Sequence, residues 1–249
     1  MPQVAALLTC QISRKLTNPE SVRLLVLARS VKSGQCCVAG KRIVSPRESG
    51  EQQWRLGEWI RPVTSLDATC DAMPPQAFPC APLAKVRIDL DKRETVVAQP
   101  ENRLWSESNA VRVLGMSNRQ KLADIPGLLD EPETLWYDAR SGASNRVSEH
   151  FRTGESLQLV RVSDLSVYVQ NNAMGEERIY AQFAYNGMVY SGLSVTDPQV
   201  WSYVKKLQQN SAFSGQTRLP PGDDYWVTVS LTKPFGSAGC RYKVAAAFL

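Results

Sequence analysis

The 249-residue chain contains a single histidine, His150, and that scarcity removes most familiar hydrolytic chemistry. A Ser-His-Asp or Cys-His arrangement needs an imidazole base, which would have to come from this one residue in a polar stretch. Neither a G-x-S-x-G elbow nor a papain-like cysteine context accompanies it. The cysteines at 10, 36, 37, 70, 80 and 240 include no C-x-x-C pair, the spacing by which a tight turn brings two thiolates to one zinc ion. Adjacent Cys36 and Cys37 point to opposite sides of any strand that holds them, which makes them poor partners for one metal. Long apolar runs are missing too. Nothing approaches the roughly 20 residues of a membrane helix, and Met1 to Cys10 lacks the basic and apolar regions of a signal peptide. The expectations are a cytoplasmic location, reduced thiols, no membrane association, no metal and no cofactor.

Two partial motifs fail on their spacing. Gly34 to Lys41, GQCCVAGK, has five residues between its glycines where a phosphate-binding loop has four, and Arg42 stands where the magnesium-binding Ser or Thr belongs. Asp89 and Asp91 fall on one side of a strand and could hold a metal, but no lysine follows a carboxylate by two residues as in metal-dependent nucleases. A solvated strand face is the simpler reading of that pair. The chain is expected not to be an enzyme.

What is present is the composition of a folded protein, 43% hydrophobic and 21% charged. The net charge of +5 is uneven: up to Pro62 there are ten Lys/Arg against four Asp/Glu, an excess that draws polyanions but also serves ordinary solubility. Val22 to Ala28 and Cys36 to Ala39 read as a hairpin turning at Gly34, and Trp59 to Val63 as a further strand after the polar segment Val44 to Leu56. Lys85 to Asp91 alternates, with Val86, Ile88 and Leu90 on the apolar face. Ser117 to Leu129 has a helical stripe capped at Ser117 or Asn118 and interrupted by Pro126 and Gly127. Asp138 to Arg146 reads as a linker or binding loop.

Further on, Leu157 to Val169, Arg178 to Tyr185, Met188 to Val195, Tyr225 to Leu231 and Cys240 to Phe248 are rich in strand formers. Asn186-Gly187 marks a type I′ hairpin, and a helix over Pro198 to Gln209 follows the cap Asp197. Five strands with one helix before the last two fit a small closed barrel, OB-like or SH3-like. Tyr225 and Trp226 alternate, so only one of them enters that barrel.

One constellation suits a ligand groove. Arg29, Ser30 and Lys32 near the first turn, Trp59 and Arg61 in EWIRPV, and Gln99, Glu101 and Asn102 in QPEN combine cations, an aromatic face and amides, which is what stacking a base and neutralising its phosphate require. The plain alternative puts Trp59 in the core and pairs Arg61 with Glu101.

The strings LLVLARSVKSGQCCVAGK (Leu24 to Lys41), EWIRPVT (Glu58 to Thr64), QPENRLW (Gln99 to Trp105), YWVTVSLTKPF and CRYKVAAAF together resemble the bacterial dual OB-containing domain family over nearly the whole chain. The resemblance implies a mainly β protein with a few helices: two OB-like β-barrels, at 1–115 and 154–249, joined by a helical region at 116–153. It also implies nucleic-acid binding or sensing in prokaryotic anti-phage defence or conflict systems, beside a separate effector protein. Arg29, Lys32, Trp59, Arg61, Gln99, Asn102 and Arg146 are its binding candidates. Where an NDRV-type string is expected this chain has SNRV (Ser144 to Val147). The competing reading is an adaptor or sensor subunit that binds a protein or a small nucleotide signal.

Overall fold

Strand β1 (Pro19–Lys32) carries apolar side chains on both faces, and the two faces serve different cores. Val22, Leu24 and Val26 point into one cluster with Val38, Ile60, Val86, Ile88 and Leu90. Leu25 and Leu27 point into another that includes Leu157, Leu159, Trp226 and Ala247, from the far end of the chain. A strand buried on both sides reads as a continuous hydrophobic run, which is why Val22 to Ala28 does not alternate. The computed structural model describes residues 19–249 apart from 33–34, 51–52, 65–79, 92–97, 106–109, 138–143, 149–150, 152, 173, 211–214, 219–224 and 235–238. His150, Cys10 and Cys70 lie outside the described residues.

The first sheet runs β5-β3-β2-β1-β4-β6, with β2 at Gln35–Val44, β3 at Arg55–Val63, β4 at Ala84–Asp91, β5 at Asn102–Leu104 and β6 at Arg112–Met116. β3 and β5 are parallel, and a bridge between Leu90 of β4 and Trp105 just after β5 closes β1 to β5 into a barrel, with β6 added at β4. The second sheet contains β8 (Leu157–Asn171), β9 (Glu177–Tyr185), β10 (Met188–Val195), β12 (Tyr225–Leu231) and β13 (Arg241–Phe248). β8 pairs with β9 and β12, β10 with β9 and β13, and β12 with β13, so these five strands close completely. Parallel pairing of the third and fifth strands is the OB closure, and it occurs in both halves. β7 (Arg146–Val147) and β11 (Gln216–Arg218) add to β13 and β8.

Local chemistry accounts for the helices. α3 (Pro198–Gln209) starts where Asp197 accepts from Gln199 N, and Pro198 takes the first helical turn. The Asp197 carboxyl is pushed up by burial, against hydrogen bonds from the Gln199, Phe248 and Val200 amides. α1 (Pro46–Ser49) is a single turn, fixed by Ser45 N and Oγ donating to Glu48, within the segment expected to be loop. The helix expected over Ser117 to Leu129 shrinks to α2 (Arg119–Leu122), capped by Asn118. Pro126 and Gly127 stop it, but Leu122 and Leu128 still reach the buried cluster. Asn186 and Gly187 have φ of 46° and 75°, the left-handed pair a type I′ turn needs.

No helix among the described residues is long and apolar enough to cross a membrane. Gly127 has φ +77°, and a Cβ there would sit 2.2 Å from Leu56 O. Gly127→Ala should therefore lower stability by more than about 1 kcal/mol, measured by urea unfolding.

Candidate nucleic-acid interface

The expected groove in the first barrel is a seam. Trp59, Arg61, Gln99 and Asn102 are 3%, 5%, 6% and 0% exposed. Arg61 donates to Asn102 Oδ1 at 3.2 Å, Ser156 Oγ at 3.3 Å and Ser230 Oγ at 3.2 Å, the two serines lying on the second half of the chain. Glu101, 2% exposed, accepts from both the backbone N–H and Oγ of the same Ser156. Arg61 and Glu101 thus converge on one serine, and Arg61 N donates to Glu101 O at 2.9 Å. Gln99 Oε1 accepts from Asn102 Nδ2 at 3.4 Å, so these amides hold each other. In this arrangement no phosphate or base reaches the four side chains.

Lys41, the residue that suggested a phosphate loop, is 3% exposed. Its ammonium donates to Gly127 O and Leu128 O at 2.9 Å and to Asp130 Oδ1 at 2.6 Å, which uses all three donors. Asp130 Oδ2 accepts from Trp59 Nε1 at 2.9 Å and from Leu159 N at 2.7 Å. Trp59 is therefore a core residue whose polar edge is tied to the linker, as the plain alternative had it.

Arg29 stands apart from that cluster. It faces Cys36, whose thiol is pushed up by burial against the lowering charge and hydrogen bond of Arg29, and its charge also acts on Cys80. Arg29 thus lines one end of the first barrel, and the structure does not bring it together with Arg61. Lys32 ends β1, and its side chain lies outside the described residues. Of the aspartate pair, Asp89 is half-buried and Asp91 is 8% exposed, which corrects the reading of a solvated strand face. The described residues contain no group of three metal-ligating side chains.

Among the candidates whose side chains are described, Arg146 alone is exposed. The SNRV string holds it in place: Asn145 Nδ2 donates to Gly192 O at 2.7 Å, Asn145 O accepts from Lys243 N at 2.7 Å, and Val147 is fully buried. Arg146 pairs with Tyr242 across β7 and β13, so the two share the outer face of the second barrel. Three strands further on, Tyr168 of β8 and Tyr180 of β9 are register partners on that face, stacked with centroids 5.6 Å apart and planes at 26°. Ser194 pairs with both Tyr180 and Val244, which makes one continuous row across β8, β9, β10 and β13, about 14 Å wide at sheet spacing. Gly192, at φ +73°, has no side chain to fill the space beside Tyr168 Oη and Asn145.

Tyr168 and Tyr180 escaped the sequence reading. Each was visible as a tyrosine between inward valine, isoleucine and alanine in a recognised strand, but the partnership needs the register. Tyr225 and Trp226 divide as alternation requires: Tyr225 packs on the second barrel core and Trp226 enters the seam, with Arg119 4.6 Å over its ring.

A family model described as the dual OB-containing domain matches residues 22–248. The chain belongs to the dual OB-containing domain family. A Nif-specific regulatory protein of Azotobacter chroococcum mcd 1 is 32% identical over 114 residues, spanning 44% of this chain and 81% of that protein. In OB-folds generally, the face formed by the second and third strands takes oligonucleotides or oligosaccharides. Here that face of the first barrel is buried in the seam, while in the second barrel the tyrosine pair lies on the outer side of its first two strands, β8 and β9, and only Tyr180 belongs to the second strand.

Arg61→Ala and Glu101→Gln should each lower stability by about 3–5 kcal/mol, because each leaves a buried polar partner uncompensated. Chemical unfolding measures the loss, and the molecules that remain folded should bind nucleic acid as the parent does.

Proposed function

We propose that the chain is a nucleic-acid-binding module without catalysis, and that its contact surface for bases is the outer face of the second barrel. The stacked Tyr168–Tyr180 pair carries this reading. Two aromatic rings on an OB strand face offer stacking to any unpaired base, and Arg146, exposed further along the same outer side of the barrel, supplies a cation for the phosphate. Bases inside a duplex do not present their faces, so the ligand of this surface is single-stranded. Arg61, Trp59, Gln99 and Asn102 act in this reading by fixing the two barrels to each other.

Belonging to a family of paired OB barrels supports binding over chemistry, as does similarity to a protein named as a regulator. The setting we infer is a cytoplasmic bacterial one, in defence or conflict with foreign nucleic acid, where a separate effector protein carries out the response. An adaptor role toward such a protein is favoured by edge strand β6, on which Val113, Leu114 and Met116 are 52%, 44% and 62% exposed.

Tyr168→Ala and Tyr180→Ala should each weaken binding of a labelled single-stranded oligonucleotide by about 1–3 kcal/mol in fluorescence anisotropy, with unchanged unfolding midpoints. Wild-type affinity in both variants would remove the platform from the mechanism. Incubation of the purified chain with the same oligonucleotide and magnesium should leave it uncleaved.

A further inference from the structure

The registers of the first sheet place three arginines on a single rung. Arg23 of β1 is the partner of Arg87 of β4, and Arg87 is the partner of Arg112 of β6. Directly paired residues of antiparallel strands share a face, with Cβ atoms about 4.5–5.5 Å apart. Val86 and Ile88, on either side of Arg87, are buried in the barrel, so the arginines are on its outer surface. Arg87 and Arg112 are exposed, and Arg23 has a side chain 37% exposed.

Like charges directly opposite each other in a sheet destabilise it, so three in a row is an arrangement that folding alone disfavours. Only one of them is offset: Arg23 meets Glu48 at 3.4 Å, and Glu48 also meets Arg42 at 3.9 Å. Among the described residues neither Arg87 nor Arg112 takes part in an ion pair. On the next rung Lys85 adds a fourth cation, 4.8 Å over the ring of Trp54. Opposite Lys85 is Gly115, whose missing side chain leaves open space beside the row.

The geometry points to a second nucleic-acid contact on the first barrel, in which Arg87 and Arg112 hold consecutive phosphates of one single strand. The guanidinium fork binds phosphate oxygens in pairs, and two forks on neighbouring strands match a ligand whose anionic groups recur along a line. Lys85 covers the Trp54 ring, so no aromatic face is free for a base, and this contact is independent of sequence. It stands apart from the tyrosine platform, because its residues belong to the other barrel and its chemistry is charge alone.

The test measures binding of a labelled single-stranded DNA of about 20 nucleotides and mixed sequence across a salt series, using the full chain. Arg87→Gln and Arg112→Gln together should lower the slope of log affinity against log salt by about 0.7 for each arginine, equally for different base sequences. A double variant at exposed lysines of α3, Lys205→Gln with Lys206→Gln, removes the same charge elsewhere and should leave the slope near that of the parent. The inference is overturned if the arginine variant keeps the parental slope, if the lysine variant loses as much, or if the parent shows no binding. Loss of retention on heparin or on anionic vesicles, with oligonucleotide binding intact, would assign the row to another polyanion and overturn it as well. Should the tyrosine variants bind normally while the arginine variant does not, the platform fails and this contact stands.

Discussion

A fully donating ammonium in a nearly water-free place governs how the two barrels meet. Lys41 cannot be left unsatisfied where it is, since an unpaired buried charge costs several kcal/mol. The linker supplies its partners at Gly127, Leu128 and Asp130, and Asp130 in turn fixes the Trp59 indole and the Leu159 N–H of β8. That one carboxylate therefore sets the positions of the first barrel, the linker and the second barrel together. The glycine before Lys41 belongs to the same constraint: a Cβ on Gly40 would lie 2.1 Å from Leu25 O, so β1 and β2 approach closely only without one.

With that seam formed, the barrels have unequal roles. The first gives its second and third strands to the contact through Ala39, Ile43, Leu56 and Trp59, together with Leu25 and Leu27 of β1, and among the described residues leaves exposed the start of β1 and the outer sides of β4 and β6. The second keeps the corresponding strands open, and its own seam contribution comes from β8, β12 and β13 through Leu159, Trp226 and Ala247. Two copies of one fold thus present two different chemistries, aromatic on one and cationic on the other. The buried ionisable groups Lys41, Arg61 and Glu101 are each held by hydrogen bonds within the seam.

Much of this fold was legible in the sequence. All five strands of the second barrel and its helix follow from β-branched runs, the Asn186-Gly187 turn and the Asp197 cap, because those are local signals. The helix expected after Ser117 is stopped short by Pro126 and Gly127, a local signal, whereas the use of the Gly127 and Leu128 carbonyls by Lys41, 86 and 87 residues away, is something no local pattern reveals. The candidate site was less legible for the same reason. ARS, WIRP and QPEN hold polar groups among apolar ones, a pattern shared by ligand grooves and by polar contacts between domains. Burial separates the two, and only the structure gives it. The arginine row shows the converse: Arg23, Arg87 and Arg112 are unremarkable one at a time and become a feature only through register.

The bulge in β1 between Val26 and Ala28 has a consequence for how the chain is made. It leaves the Leu27 carbonyl free of the ladder to accept from Thr228 Oγ1 at 2.7 Å, a partner 201 residues later. At a synthesis rate of roughly 5–20 residues per second, the ribosome extrudes β1 about 10–40 s before the strand that covers it. For that interval Leu25, Leu27 and Trp59 form an uncovered apolar sheet face on a nascent barrel, the kind of surface that chaperones hold and that neighbouring nascent chains on a polysome can join. The pairing of two barrels in one polypeptide therefore carries a kinetic demand that a single OB barrel, with its face in water, never meets.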